Sequence, residues 1–285
     1  MIDPAFLDEL DRFDVTMKRD IASRYAGEQE SPEIGEGLTF SDFRQYVPGD
    51  DTRLIDWKLY ARTEELYIKQ FEAERNVTLH VLLDTSASMA FGEGDRNKFE
   101  YAAKLGLGYA YLFAEENNDF RFTVFGTELE RLDSGRSNRG ELLQLIDRLN
   151  EYELDDRTDF EGMLTTYADS IHSRSLVVVI SDFVGDVEAI ASGAAALAEN
   201  EVVFAQVLTP AELDPEVTGD TIFEDSESDA EVRTYFGGSQ VQRYRDRLQA
   251  HVDEIDSRCE ELQVAHTLVD TGEDFFDSFS RLWLG

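Results

Sequence analysis

The sequence predicts an α/β fold in which a mainly parallel sheet carries helices on both faces. Short apolar runs at residues 77–84, 176–180 and 202–208 are typical of buried strands. Segments with a helical spacing of apolar residues, such as 98–116 and 187–199, lie between these runs. Strands that alternate with helices indicate parallel pairing through crossover helices.

The other predicted elements follow from the same patterns. Apolar residues at spacings of three and four predict a helix over about the first 25 residues, and Pro and Gly mark a break at 31–37. Residues 38–64 are mixed and densely charged, whereas 66–72 alternate like an exposed strand. Gly126-Thr127 predicts a hairpin turn. The remaining predicted helices are 142–149, 160–171, 244–262 and 275–284, and the remaining strands are 121–125, 128–132 and 264–269.

The pattern changes near residue 76, where regular alternation of strands and helices begins. We therefore predict an N-terminal extension with helical and β segments over residues 1–75 and a main domain over 76–285. Within the main domain, residues 212–231 form an acidic excursion with nine Asp or Glu and no basic residue.

The net charge restricts the possible partners. The 285 residues include 61 acidic and 26 basic side chains, for a formal charge of −35. Such a field repels nucleic acid and anionic lipid, so neither is expected as a partner. Abundant Asp and Glu with only five Lys fit a high-salt cytoplasm, where ions screen this self-repulsion. The alternative is an acidic binding face.

The sequence is expected to be cytoplasmic. Its single cysteine, Cys259, excludes an internal disulfide. The acidic N-terminus lacks the basic and apolar regions of a secretory signal, and no apolar run approaches the length of a membrane span.

Candidate metal ligands follow the first buried strand. Asp84, Ser86 and Ser88 alternate in D-T-S-A-S and offer the hard oxygen ligands that Mg²⁺ prefers. The alternative is a turn in which these side chains satisfy backbone donors. Thr158 precedes a predicted helix, where it would otherwise be an N-cap, and Asp182 follows the 176–180 strand, where it would otherwise be a loop acid.

These five residues resemble the metal-ion-dependent adhesion site of von Willebrand factor A domains, which is a D-x-S-x-S motif followed by Thr and then Asp. The resemblance implies a Rossmann-like von Willebrand A fold and a bound Mg²⁺, or another divalent cation such as Mn²⁺ or Ca²⁺. It also implies an open coordination position that a partner's Asp or Glu fills. Arg157 stands where that family commonly has glycine, and we expect it to crowd the ligand position or to meet the incoming carboxylate.

A second motif lies in the extension, at residues 37–74. Its core reads R-x-Y-x-x-G-D-D-x-R-x-I-D-W-K-x-x-A-R from Arg44 to Arg62 and is similar to the hallmark of the domain of unknown function 58 family. The likeness spans roughly residues 34–285. It implies partnership with a MoxR-type AAA+ ATPase in assembling or maturing a client protein.

The charged residues of this motif have two interpretations. The candidates for partner binding are Arg44, Arg53, Asp56, Lys58 and Arg62. Balanced charges around aromatic residues indicate either a structural ion-pair network or a docking surface, and both interpretations remain open.

We predict a non-enzymatic protein-binding module. The sequence contains no phosphate-binding loop, zinc cluster or G-x-S-x-G motif. The main alternative is a Mg²⁺-dependent phosphohydrolase of the haloacid dehalogenase type, but such an enzyme would need an acid where Ser86 stands. A purely structural scaffold is the third possibility.

Overall fold

The computed structural model describes residues 1–25, 38–47, 50, 55–63, 65–73, 77–92, 94, 97–154, 157–215, 219–224, 231–236 and 238–284. The chain divides into two compact units, Met1–Lys18 with Val77–Gly285, and Arg19–Asn76. Residues 1–18, predicted as part of the extension, therefore group with the main unit, and Phe6, Leu7 and Leu10 are buried in its core.

The helices and strands are numbered here in chain order. The helices are α1 (Phe6–Tyr25), α2 (Trp57–Thr63), α3 (Lys98–Glu115), α4 (Arg139–Asn150), α5 (Phe160–Ala168), α6 (Val187–Leu197), α7 (Pro210–Leu213), α8 (Gly238–Leu262) and α9 (Phe275–Leu284). The strands are β1 (Leu38–Gln45), β2 (Tyr67–Ala73), β3 (Leu79–Asp84), β4 (Phe120–Phe125), β5 (Leu129–Arg131), β6 (Leu176–Ser181), β7 (Glu201–Leu208), β8 (Gly219–Glu224), β9 (Glu231–Phe236) and β10 (Ala265–Asp270).

The main unit is built on a six-stranded sheet in the order β10-β7-β6-β3-β4-β5. Every neighbouring pair is parallel except β4 and β5, which form the predicted hairpin. From β3 the chain winds to one edge of the sheet, and from β6 it winds to the other. The carboxyl ends of β3 and β6 therefore meet at the topological switch point, where open α/β sheets bind ligands. This order confirms the predicted von Willebrand A-like fold.

Helices cover both faces of this sheet. Alternate residues of β6 point to opposite sides, so that Val178 and Ile180 belong to one apolar cluster and Val177 and Val179 to another. The first cluster includes residues of α1, α3, α4 and α9, and the second includes residues of α5, α6 and α8. The predicted helices on two faces are thus confirmed.

Two segments differ from the expectation. The densely charged stretch 38–64 contains β1 and α2, and the acidic excursion 212–231 contains part of α7, all of β8 and the first residue of β9, which pairs with β8 in antiparallel fashion. Charged residues interrupt the apolar ones in 38–64, and 212–231 has few apolar residues, so neither segment shows a clear period. Thr209 and Glu212 nevertheless form a capping box that is recognisable in the sequence. The start of α8, at Gly238, also precedes the predicted start at 244.

The described residues of the second unit include the last part of α1, the antiparallel pair β1 and β2, and the short helix α2. β1 pairs with β2 in a register that shifts between Phe40 and Asp42. Among the residues that the structure describes, no helix is both long and apolar enough to cross a membrane.

Candidate functional site

The loop after β3 begins with a fully buried carboxylate. Asp84 is the last residue of β3 and is 0% exposed. Its Oδ1 accepts the backbone N–H of Ser86 at 2.9 Å, and the Ser86 and Ser88 hydroxyl oxygens lie 3.0 Å apart. This Asp–Ser turn is the one expected from the sequence as the alternative to a metal site. In the structure the turn also places the hydroxyls of Ser86 and Ser88 next to each other.

Thr158 joins this loop from the segment before α5. Its hydroxyl donates to Asp84 Oδ1 at 2.6 Å. The alternative role of Thr158 as an N-cap is wrong, because Asp159 caps α5 by accepting the N–H of Gly162 at 3.0 Å. The cap on Asp159 leaves the Thr158 side chain directed at the carboxylate.

The end of β6 supplies the third part of the site. The Ser181 hydroxyl donates to Asp84 Oδ2 at 2.5 Å and accepts the N–H of Phe183 at 2.8 Å. Phe183 adopts a left-handed backbone with φ of 50°, which is rare for a bulky residue, and stacks on Phe204 at 4.6 Å. This turn fixes the intervening Asp182, which is 1% exposed.

A buried lysine lies against Asp182. Lys98, the first residue of α3, is 1% exposed, and its Nζ lies 2.6 Å from Asp182 Oδ2 and 2.7 Å from Glu212 Oε1. Asn97 holds the start of α3 against the β3 loop, because its side-chain amide donates to the carbonyl of Ala90 at 2.9 Å. The ammonium group of Lys98 is therefore a fixed positive charge within the candidate site.

Burial shapes the protonation of both charged groups. Burial and, to a smaller extent, the nearby negative charge of Asp182 raise the pKa of Asp84 to about 6, although hydrogen bonds from Ser181, Thr158 and Ser86 act in the opposite direction. Burial lowers the pKa of Lys98, but the charges of Asp182 and Glu212 outweigh that effect and raise it overall. Asp84 thus remains a buried acid whose own hydrogen bonds do not fully compensate its charge.

The donor set fits a hard divalent cation. Within the described residues, no three His, Cys, Asp or Glu side chains cluster as a metal site. The candidate site instead combines carboxylates with hydroxyls, which are oxygen ligands suited to Mg²⁺ or Ca²⁺. A cation beside Asp84 would offset the cost of burying that charge. Hydrogen bonds link four of the predicted ligands, namely Asp84, Ser86, Ser88 and Thr158. Asp182 lies near enough for its charge to raise the pKa of Asp84, but its own oxygens face Lys98 and the N–H of Val184. The metal ion itself stays a prediction.

The other candidates are Arg157 in the main unit and the charged residues of the motif in the second unit. Arg157 precedes Thr158 and is exposed. In the second unit, Arg44 pairs with Asp50 at 2.9 Å, and Asp56 caps α2 by accepting the N–H of Leu59 at 2.8 Å. Arg62 is exposed on α2, the Lys58 side chain is not described, and Arg53 lies outside the described residues.

Sequence reasoning missed three side chains of the site. Ser181 is the last residue of the β-branched strand β6 and lies directly before Asp182, so its position at a strand end could have indicated it. Lys98 and Glu212 are separated by 114 residues, and nothing local indicates that they pair. Lysine at the first position of a helix normally implies solvent exposure.

Comparison with known proteins identifies the chain's relatives. A family model described as Protein of unknown function DUF58 matches residues 42–255. An uncharacterized protein of Mycobacterium tuberculosis is 26% identical over 229 residues, which are 79% of this chain and 72% of that protein. YeaD of Bacillus subtilis is 44% identical over 50 residues, which are 18% of this chain and 13% of YeaD.

Solved structures resemble parts of the chain more distantly. BatB from Bacteroides thetaiotaomicron has a TM-score of 0.43 and 18% identity over 73% of this chain and 100% of that chain. An aerotolerance-related membrane protein from Bacteroides fragilis has a TM-score of 0.46 and 14% identity over 73% of this chain and 97% of that chain. Manganese-loaded TRAP protein of Plasmodium vivax has a TM-score of 0.36 and 17% identity over 46% of this chain and 56% of that chain.

Proposed function

The chain belongs to the DUF58 family of proteins of unknown function, and from that premise we propose that it is a non-catalytic module that binds another protein through a divalent cation. The observation that carries this proposal is the convergence of Thr158, Ser181 and the β3 loop on the buried carboxylate of Asp84. Three separate chain segments supply these contacts, which a simple turn would not require.

Asp84, Ser86, Ser88 and Thr158 would hold the cation, with Asp182 beside them. Bound there, the ion would supply an electrophilic position that a carboxylate of the partner could complete. The chain's own contribution is orientation: the Ser181 hydroxyl and the Ser86 N–H fix the two oxygens of Asp84. Two carboxylates with three hydroxyls leave the ion less neutralised than an all-carboxylate site would.

The same loop argues against phosphohydrolase chemistry. A haloacid dehalogenase-type enzyme needs a proton donor two residues after its nucleophilic Asp, and Ser86 occupies that position. The Ser86 hydroxyl lies 3.0 Å from that of Ser88, and a hydroxyl at its ordinary pKa is a poor general acid. The non-catalytic function therefore accounts for the loop better.

The proposed partner is a MoxR-type AAA+ ATPase, together with a client protein that offers an Asp or Glu. This assignment rests on the likeness of the 44–62 motif to its family. The second unit has an exposed aromatic pair suited to docking, because Trp57 is 62% and Tyr60 is 41% exposed, with ring centroids 6.1 Å apart. Exposed aromatic residues are enriched at protein interfaces.

Binding between this protein and the purified MoxR-type ATPase of the same cell tests the proposal. We expect binding in Mg²⁺ that is lost in EDTA and in Asp84→Asn, and retained in Asp159→Asn, since Asn also caps helices well. Equal binding with and without the metal would contradict metal dependence. Trp57→Ala tests the second unit, and a folded variant with unchanged binding would exclude this aromatic pair from the interface.

A further inference from the structure

We infer that Lys98 sets the net charge of the candidate site: with its ammonium present, the metal-loaded site is not negative and can accept an anionic ligand. This inference rests on the proposed metal binding and adds a specificity-determining residue to it. The role follows from where the ammonium lies and from how it is shared between two acids.

Lys98 is held without access to solvent. Its Nζ contacts Asp182 Oδ2 and Glu212 Oε1, and it lies 5.9 Å from the centre of the Phe91 ring. Asp182 is fixed on its other oxygen, because Oδ1 accepts the N–H of Val184 at 3.1 Å. An ammonium placed this closely is weakly screened, so its charge acts on the whole site.

Glu212 is also held in place. Its Oε2 accepts the backbone N–H of Thr209 at 2.8 Å and the hydroxyl of Thr209 at 2.9 Å. Because the Glu212 N–H also donates to Thr209 Oγ1 at 3.2 Å, the two residues form the capping box of α7. Its other oxygen faces Lys98. The short helix α7, which follows β7, therefore presents a second carboxylate to the ammonium, and Asp182 receives only part of the lysine's charge.

The formal charges show the consequence. Asp84, Asp182 and Glu212 each contribute −1 and Lys98 contributes +1, which leaves −2. A divalent cation brings the cluster to neutrality. Without Lys98 the loaded cluster would stay at −1 and would repel a carboxylate, within a chain whose net charge is −35.

If Lys98 has this role, its loss should change the affinity for the cation and the affinity for an anion in opposite directions. A purely structural role would change both in the same direction. Removing the Lys98 charge makes the empty site more negative, so the affinity for the cation should rise. The same change makes the loaded site more negative, so the affinity for an anion should fall. A lysine that only holds the fold together would weaken both when it is lost.

The test uses the full chain, Mn²⁺ as the metal and acetate as the anionic probe. Calorimetric titration gives the Mn²⁺ affinity, and the loss of Mn²⁺-enhanced water proton relaxation gives acetate binding. For Lys98→Met we expect Mn²⁺ to bind roughly tenfold more tightly and acetate roughly tenfold more weakly. For Glu212→Gln we expect the opposite pair of shifts, and this variant carries the test if Lys98→Met does not fold.

The double variant Lys98→Met/Glu212→Gln is the matched control. It keeps the formal charge at −2, so both affinities should return to within about threefold of the wild-type values. If both affinities shift in the same direction in Glu212→Gln, or in a folded Lys98→Met, the inference about Lys98 is wrong, while the proposed metal site still stands. Wild-type protein that binds no Mn²⁺ would instead overturn the proposed metal site itself.

Discussion

At the scale of single residues, Asp84 determines the character of the site. It is fully buried, accepts three hydrogen bonds from three chain segments, and lies close enough to Asp182 for the two negative charges to repel each other. Such a carboxylate lowers the stability of the metal-free protein, because its buried charge is not compensated, and it raises stability when a cation lies beside it. Its contribution to stability should therefore depend on the metal.

We predict that Mg²⁺ raises the melting temperature of the wild-type protein and does not raise that of Asp84→Asn. Ligand that binds only the folded state stabilises it by about 2.7 kcal/mol at a concentration 100-fold above Kd. Thermal melts with Mg²⁺ and with EDTA check this, with Asp159→Asn as the control that keeps the metal response. A Mg²⁺ shift of equal size in Asp84→Asn would contradict the assignment of this residue.

His80 provides a second prediction at this scale. Burial, aided by the charge of Arg121, lowers the pKa of His80 to about 4, and its Nδ1 lies 2.8 Å from the Tyr167 hydroxyl. The unfolded chain therefore binds more protons than the folded one between pH 4 and pH 6.5. The stability from neutral His80 is complete above pH 6.5 and is lost as pH falls through 4.

We expect His80→Gln to reduce the acid sensitivity of folding. Between pH 7 and pH 4.5 the wild type should lose about 2 kcal/mol more free energy of unfolding than this variant. Urea unfolding across this range measures the difference. His172→Gln, at an exposed histidine, is the control, and parallel pH profiles for wild type and His80→Gln would contradict the assignment.

The predicted ligands could be found from sequence because each lies at a strand end or a helix start. Asp84 and Asp182 follow apolar strands, and parallel strands bring their carboxyl ends to one edge. Lys98 and Glu212 could not be found in this way. Their pairing depends on how α3 lies relative to α7, and no local sequence pattern indicates it.

At the scale of elements, the close packing of α5 and α6 holds two parts of the site together. α5 begins two residues after Thr158, and α6 begins five residues after Asp182. Gly193 of α6 permits this approach, because a Cβ there would lie 2.8 Å from the Leu164 side chain and 3.0 Å from the carbonyl oxygen of Phe160. The helices have no room for a methyl group at this point.

We predict that Gly193→Ala destabilises the protein by about 1–3 kcal/mol, although alanine is the better helix former. The free energy of unfolding from urea titration checks the size. Gly238→Ala, at the start of α8 where no atom lies within 4 Å of the added methyl, should be neutral or slightly stabilising. A Gly193→Ala variant as stable as the wild type would show that the two helices separate easily.

Sequence patterns predicted the elements of the sheet well because its strands are buried and rich in β-branched residues. β6 is apolar almost throughout and was located within one residue. β8 was missed because it lies in an acidic segment without an apolar run, and β9, which begins at the end of that segment, mixes apolar and polar residues over only six positions. Strand pairs in such segments tolerate charged residues on both faces, so the alternation of apolar and polar residues is weak there.

At the scale of the whole molecule, the charge of −35 is the dominant property. Self-repulsion acts over about 10 Å in 0.1 M salt and about 3 Å in 1 M salt. We predict that the melting temperature rises between dilute buffer and molar KCl, as a protein of high-salt cells would require. Sucrose at matched osmolality is the control for solute exclusion. Greater stability in dilute buffer would contradict the high-salt assignment.

The alternation of strands and helices predicted the architecture of the main unit, since few topologies satisfy right-handed parallel crossovers. The boundary of the extension could not be predicted in this way. Phe6, Leu7 and Leu10 have the spacing of any amphipathic helix, and only the folded chain shows that they join the core of the main unit. Periodicity tells which face of a helix is buried but not which surface covers it.

The most direct test of the metal site is the anomalous scattering of Mn²⁺ in crystals of the full chain grown with that ion. We predict an anomalous peak among the side-chain oxygens of Asp84, Ser86, Ser88 and Thr158, and no peak there in Asp84→Asn crystals grown in the same way. Wild-type crystals with density for all four side chains and no anomalous peak between them, at saturating Mn²⁺, would contradict the account.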